Sequence, residues 1–288
     1  MADNQALPKS SRCLLPNSEL AIETTGDPVW IRQYPVLQGY HEAIDKRVQE
    51  WIEDGTVVPA PPGCEWNLPL LRARKPGKDG EPDGVRVCFD GRELNKRIQV
   101  KPDSNLPSLR KVQDSLGQFE WISVIDLADS YHQFPTRQED QRKTAFTWGT
   151  FGQLMFTGVP FGLKTMTGHM QRLMEQRLGP LGRKPFQDDV AIASPTAEQH
   201  VQDVLKVLEL LTYTAGLRLR LKKCQFFKKE ARVLGASSAV MALKWILSRS
   251  RPFVNGHNQR MAKHCNVFWE LPTSTESSVI IMPELLLL

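Results

Sequence analysis

Two short apolar runs in this chain each carry carboxylate at one end. Trp121-Ile122-Ser123-Val124-Ile125 leads into Asp126, and Asp188-Asp189 leads into Val190-Ala191-Ile192-Ala193. Short runs rich in β-branched and aromatic residues predict buried strands, so the chain is built around a sheet. Neighbouring aspartates repel, and folding gains nothing from that repulsion. A divalent cation reverses the sign, because Mg²⁺ takes hard oxygen ligands, usually one or two carboxylates plus substrate phosphates. Asp126, Asp188 and Asp189 are therefore candidates to meet around two metal ions and to run an in-line phosphoryl transfer. The plainer alternative is that paired aspartates serve a turn and bind nothing.

The remaining pattern places helices and hairpins around those runs. His41 to Asp54 predicts an amphipathic helix with Ile44, Val48, Trp51 and Ile52 on one face and Gly55 as its stop. Leu68 to Arg74 and Val85 to Asp90 read as a hairpin around a charged, turn-rich loop, with Lys78 and Arg86 flanking the tip. Thr144 to Trp148 and Leu154 to Phe156 form a second β-prone pair. Pro160-Phe161-Gly162 breaks the chain before a helix over Leu163 to Leu178. Ser194-Pro195-Thr196 opens another helix, with a predicted core stripe of Val201, Val204, Leu205, Leu208 and Leu211. Leu217 to Phe227 alternates leucine with basic residues, which predicts a half-buried strand with a basic outer face. Arg183-Lys184-Pro185 offers little support for a strand before Asp188. Residues 1–27 are polar and aperiodic, which predicts a flexible lead-in, and the pattern decays again over residues 237–288.

Charge and cysteine usage narrow the setting. No apolar run approaches the roughly 20 residues that span a bilayer, and the N-terminus lacks a signal-peptide core, so no membrane partner is expected. The net charge of +5 permits a nucleic-acid partner without demanding one. Its distribution says more: Arg218, Arg220, Lys222, Lys223, Lys228, Lys229 and Arg232 stand against Glu230 alone, a cluster suited either to phosphate contact or to plain solvation. Five scattered cysteines with no CxxC pair predict free thiols in a reducing compartment, hence an intracellular, cytoplasmic protein. His257, His264 and Cys265 lack the second cysteine pair that would close a zinc site.

Several ordered motifs carry a resemblance. They are Arg86-Val87-Cys88-Phe89-Asp90-Gly91-Arg92-Glu93-Leu94-Asn95, Asp126-Leu127-Ala128-Asp129-Ser130-Tyr131-His132-Gln133, Lys143-Thr144-Ala145-Phe146, Pro160-Phe161-Gly162-Leu163, Phe186-Gln187-Asp188-Asp189 and Leu221-Lys222-Lys223-Cys224-Gln225-Phe226. From about Pro28 to Gly235 the chain resembles the reverse transcriptase of gypsy-type long-terminal-repeat retrotransposons, and more distantly the retroviral enzymes. It departs from that pattern at Phe186 and Gln187, where the family has tyrosine and an apolar residue, and at Lys164 to Gln171.

The resemblance implies an α+β, right-hand polymerase fold, with an antiparallel palm sheet packed on helices and a thumb missing or degenerate. Fingers would occupy residues 28–99 and 133–165, palm residues 100–132 and 166–236, with 237–288 a degenerate tail in a chain truncated after the palm. It implies an RNA-directed DNA polymerase in which Asp126, Asp188 and Asp189 bind two Mg²⁺ ions, or Mn²⁺ in their place. Lys78 and Arg86 would contact the incoming deoxynucleoside triphosphate. Tyr131 would exclude a ribose 2′-hydroxyl, Phe161 and Gly162 would line the nucleotide pocket, and Leu234-Gly235 would grip the primer end. The partners would be an RNA or DNA template with its primer. The competing reading is an inactive relic that at most binds template-primer.

Overall fold

A computed structural model of the chain describes residues 1–76, 82–99, 116, 119–181, 184–186 and 189–229. Its N-terminal part corrects the sequence reading. The flexible lead-in expected over residues 1–27 is instead packed chain, opening on helix α1 (Ala2–Ala6). Cys13, Leu15, Leu20 and Ile22 join the main core. The buried Asn4 amide donates to Thr212 Oγ1 at 3.0 Å and the Leu217 carbonyl at 2.8 Å, and its oxygen accepts from Leu219 N at 2.9 Å. No local periodicity announces this segment, because its partners lie far along the chain: those of Asn4 more than 200 residues away, that of the Ile22 N–H 118.

Helix α2 (His41–Glu53) stands where the periodicity predicts and buries Ile44, Val48 and Trp51. Gly55, at φ +64°, turns the chain out of it in the left-handed region that glycine tolerates. Strand β1 (Val57–Pro59) follows, then the hairpin of β2 (Leu70–Pro76) and β3 (Pro82–Phe89). Lys78, placed by the sequence beside the hairpin tip, lies outside the described residues. Asp90 leads into helix α3 (Arg92–Arg97), accepting from Arg92 Nε at 2.8 Å and from the second guanidinium nitrogen at 2.7 Å. These two bonds hold the Asp90 carboxyl below its usual range despite its burial.

Strand β4 (Trp121–Asp126) is followed by a 3₁₀ turn over Ser130–Gln133, which Asp129 enters at φ +43°. Strands β5 (Phe146–Thr147) and β6 (Gln153–Phe156) pair as expected, and β1 completes a three-stranded sheet in the order β1-β6-β5. Between the 3₁₀ turn and this sheet, Gly158 passes so close to the His132 carbonyl that a Cβ there would overlap it. Helix α4 (Met166–Leu178) buries Met166, Met170, Leu173, Met174 and Leu178.

Strands β7 (Lys184–Phe186) and β8 (Asp189–Ser194), helix α5 (Ala197–Glu209) and strand β9 (Gln225–Lys228) complete the described elements. Four strands form an antiparallel sheet in the order β7-β8-β4-β9. β7 forms despite Lys184 and Pro185, and its place explains how. As the edge strand it has one neighbour, so the missing proline N–H breaks no second ladder. The basic stretch from Leu217 is less regular than the predicted strand. Leu217 and Leu219 are buried as the alternation requires, but the chain bends through a 3₁₀ turn at Leu221–Lys223 before β9 begins.

The register of β4 and β8 explains why both runs are apolar on alternate residues of either face. Ile125, Val190 and Ile192 point into the main core. Ile122, Val124, Ala191 and Ala193 point the other way, into a smaller cluster with Leu116 and Phe119. With both faces covered, neither strand has a solvent side to make polar. Helix α5 packs with His200, Asp203, Val204 and Val207 buried, while Val201 and Leu205 of the predicted stripe are 39% and 42% exposed. Polar residues of the sheet cause the rotation. Ser123 Oγ sits 2.7 Å from His200 Nε2, Ser194 Oγ sits 2.9 Å from His200 Nδ1, and Ser194 Oγ donates to Asp203 Oδ2 at 2.6 Å.

Candidate active site

The last rung of the β4/β8 ladder brings Asp126 opposite Asp189. Cross-strand partners share a face, with Cβ atoms roughly 4.5–5.5 Å apart. Alternation places both carboxylates on the side of Val124, Ala191 and the smaller cluster. Phe186 pairs with Asp189, so β7 and β8 are joined through Gln187 and Asp188, which lie outside the described residues. Two of the three predicted metal ligands are thus brought together. Among the described residues, no group of three or more His, Cys, Asp or Glu side chains is arranged to hold a metal.

Two carboxylates facing each other across a ladder destabilise it unless something positive is near. Lys223 Nζ lies 3.7 Å from Asp126 Oδ2, with the lysine side chain 58% exposed and the aspartate 14%. Cys224 lies against the same strand end, its thiol 3.4 Å from Asp126 N. Burial raises the Cys224 thiol pKa, and the charges of Asp126 and Asp189 push the same way. Arg220 donates to Asp129 at 2.9 Å. The donor set is hard oxygen, held by two central strands, with the Lys223 ammonium occupying one side of it. That chemistry fits a divalent cation such as Mg²⁺.

A second group sits after β4. Tyr131 stacks on Phe161 with ring centroids 4.9 Å apart and planes at 22°, and its hydroxyl lies 2.9 Å from Thr167 Oγ1. Phe161 remains 41% exposed. Gly162 holds φ +99°, and its carbonyl accepts from Asn95 Nδ2 at 2.6 Å, while Asn95 Oδ1 accepts from Lys164 N at 3.0 Å. Tyr131, Phe161 and Gly162 therefore form one continuous surface, clamped by Asn95. Arg86 is exposed on β3, opposite Ala73.

The sequence placed Lys223 only in a basic cluster suited to phosphate contact or solvation, and assigned no role to Cys224, Asn95 or Thr167. Lys223, Cys224 and Asn95 sit inside quoted motifs, which was the available signal. Thr167 lies in the stretch that departs from the family pattern and carried no signal.

The sequence matches the family described as "Reverse transcriptase (RNA-dependent DNA polymerase)" over residues 73–237. It is 32% identical over 216 residues to the Retrovirus-related Pol polyprotein from transposon 297 of Drosophila melanogaster, covering 74% of this chain and 20% of that one. It is 31% identical to the corresponding polyprotein from transposon gypsy of the same fly, covering 73% and 20%. It is also 30% identical to the Gag-Pol polyprotein of Gibbon ape leukemia virus, covering 77% and 13%. The chain spans a fifth or less of the length of these relatives.

Among solved structures, the foamy viral protease-reverse transcriptase in complex with double-stranded DNA superposes with a TM-score of 0.68 at 24% identity, covering 78% of this chain and 38% of that one. The native prototype foamy virus enzyme gives 0.68 at 21%, covering 81% and 31%. These likenesses give the fold, a polymerase fold mixing helices with antiparallel sheets. Reverse transcriptases generally work with divalent metal ions. With more than half of its length matched, the chain belongs to the reverse transcriptase family.

Proposed function

We propose that this chain supplies the fingers and palm of an RNA-directed DNA polymerase. It would transfer nucleotides from deoxynucleoside triphosphates to a primer 3′-hydroxyl, copying an RNA or DNA template. Residues 28–99 and 133–165 form the fingers in this reading, and residues 100–132 and 166–236 the palm. The observation that carries it is Asp126 facing Asp189 on the two central strands. Asp126, Asp188 and Asp189 would hold two Mg²⁺ ions, with Mn²⁺ able to replace them. Bound there, the ions would supply the chemistry that lowers the pKa of the attacking hydroxyl and neutralises charge on the leaving group.

The chain's own side chains do the positioning. The ends of β4 and β8 hold Asp126 and Asp189 face to face, so that part of the geometry need not be assembled at each turnover. Tyr131, braced by Phe161 and Thr167, offers a flat wall against the sugar, where a 2′-hydroxyl would meet the ring. Gly162 keeps the neighbouring wall free of a side chain, and Arg86 and Lys78 would neutralise the triphosphate.

One observation favours the competing reading of a silent copy that only binds template-primer: Lys223 lies at Asp126, where a metal would sit. One assay separates the two. An RNA template, DNA primer, deoxynucleotides and Mg²⁺ are supplied to the chain and to Asp188→Asn. Extension by the parent that is lost in the variant supports the polymerase. A folded parent that binds primer and never extends it refutes it.

A further inference from the structure

A second basic site lies where helix α2, the N-terminal segment and the 3₁₀ turn meet. The cleft there encloses about 20 Å³, room for roughly one water-sized group. Its lining carries four cations, Lys9, Arg12, Arg47 and Arg218, against two carboxylates, Asp54 and Asp129. The surplus of two positive charges survives a wider count. Arg47 is paired with Glu50 at 2.9 Å, and Asp129 with Arg220 at 2.9 Å, which adds one charge of each sign. Lys9 is paired with Asp54 at 3.4 Å. The uncompensated pair is Arg12 and Arg218.

These two guanidiniums act on each other. Burial lowers the Arg12 pKa, and the charge of Arg218 lowers it further, against a smaller opposing pull from Asp54. Arg12 spends its donors on neutral acceptors, including Gly55 O at 3.0 Å and Thr157 Oγ1 at 2.8 Å. The Arg218 side chain has no hydrogen bond or ion pair among the described residues. Two like charges held together in a partly buried cleft are unfavourable without an anion.

An independent observation points the same way. The buried lining residues include Trp51 and His132, at 3% and 7% exposure. Among the described residues, neither the Trp51 indole N–H nor His132 Nδ1 has a hydrogen-bond partner. The His132 ring is neutral, since burial holds its pKa to about 4. An oxyanion oxygen accepts from the indole and from a guanidinium, and a P–OH or a bound water donates to the imidazole.

We propose that this cleft binds the oxygen of a single phosphate group between Arg218 and the Trp51 indole, with the charge of Arg12 beside it. The proposal does not rest on the polymerase reading, because it uses none of the aspartates at the β4/β8 end. The phosphate could belong to a nucleic-acid backbone or be a free anion, and the test separates these sources.

Inorganic phosphate is titrated into the full chain at constant ionic strength, and the indole N–H signals are followed by NMR. The Trp51 signal is identified as the one lost in Trp51→Phe. We expect that signal to move saturably, and Arg218→Gln to weaken the response about tenfold while its melting midpoint without phosphate is no lower than the parent's. Should Trp51→Phe fail to fold, titration calorimetry of the parent against Arg218→Gln gives the same comparison. A single-stranded oligonucleotide that moves the same signal at lower phosphate concentration identifies the backbone as the source; a response to inorganic phosphate alone identifies a free anion. No saturable response in the parent, or unchanged affinity in a folded Arg218→Gln, overturns the proposal.

Discussion

Replacing Asp189 with asparagine removes one of two carboxylates that face each other on β4 and β8 and leaves a side chain of nearly the same shape. At roughly 5 Å, two unit charges repel by about 0.8 kcal/mol in water and about 3 kcal/mol at an effective dielectric of 20. Lys223, 3.7 Å from Asp126, offsets part of this, but its side chain is 58% exposed and its pull is screened. Cross-strand pairs contribute roughly 0.2–1 kcal/mol and like charges directly opposite are destabilising, so relief of that order is the expected gain for Asp189→Asn without metal. For a chain of this size that raises the melting midpoint by a few degrees at most. In Mg²⁺ the order should reverse. A cation bound only by the folded parent adds about 1.4 kcal/mol at ten times its Kd, and the variant has lost one ligand. The assay is thermal unfolding of both proteins in EDTA and across a Mg²⁺ series at fixed ionic strength, and it needs no catalytic turnover. A variant less stable than the parent in EDTA would mean that the carboxylates do not repel. Parallel curves for the two proteins through the Mg²⁺ series would mean that they do not share a cation.

Three further outcomes follow from named contacts. Asn4→Ala strands the Leu219 N–H and the Thr212 hydroxyl in a buried site and should destabilise the chain by about 1–3 kcal/mol in denaturant unfolding. His132 is held neutral with a pKa of about 4 against an ordinary value of 6.5, so its contribution is complete above pH 6.5 and lost as pH falls through 4. His132→Phe should therefore flatten the stability profile across that window, by up to about 3 kcal/mol, and an unchanged slope would reject the assignment. Tyr131→Ala should let an active parent incorporate ribonucleotides in primer extension, whereas unchanged discrimination would remove Tyr131 from the sugar wall.

Much of this architecture is local and was legible for that reason. Helix α2 follows from a stripe at helical spacing, and the β2/β3 hairpin from two β-prone runs around a loop of prolines and glycines. The pairing of Asp126 with Asp189 was anticipated only as a convergence, because sequence does not reveal register between strands over 60 residues apart. What failed did so for the same physical reason each time: a distant partner changed the value of a local residue. Val201 and Leu205 belong to an obvious apolar stripe, yet α5 turns them outward. The helix turns because Ser123 and Ser194 on the sheet offer hydroxyls, and His200 and Asp203 must face them. An unsatisfied buried polar group costs roughly 1–3 kcal/mol, comparable to what burying one more aliphatic side chain gains. Four mutually satisfied polar groups therefore outweigh two exposed aliphatics, and the helix adopts the rotation that completes the polar set. The N-terminal segment obeys the same rule. Asn4 looks like loop chemistry until Thr212, Leu217 and Leu219 supply its partners, and then a polar residue becomes one of the most buried in the chain.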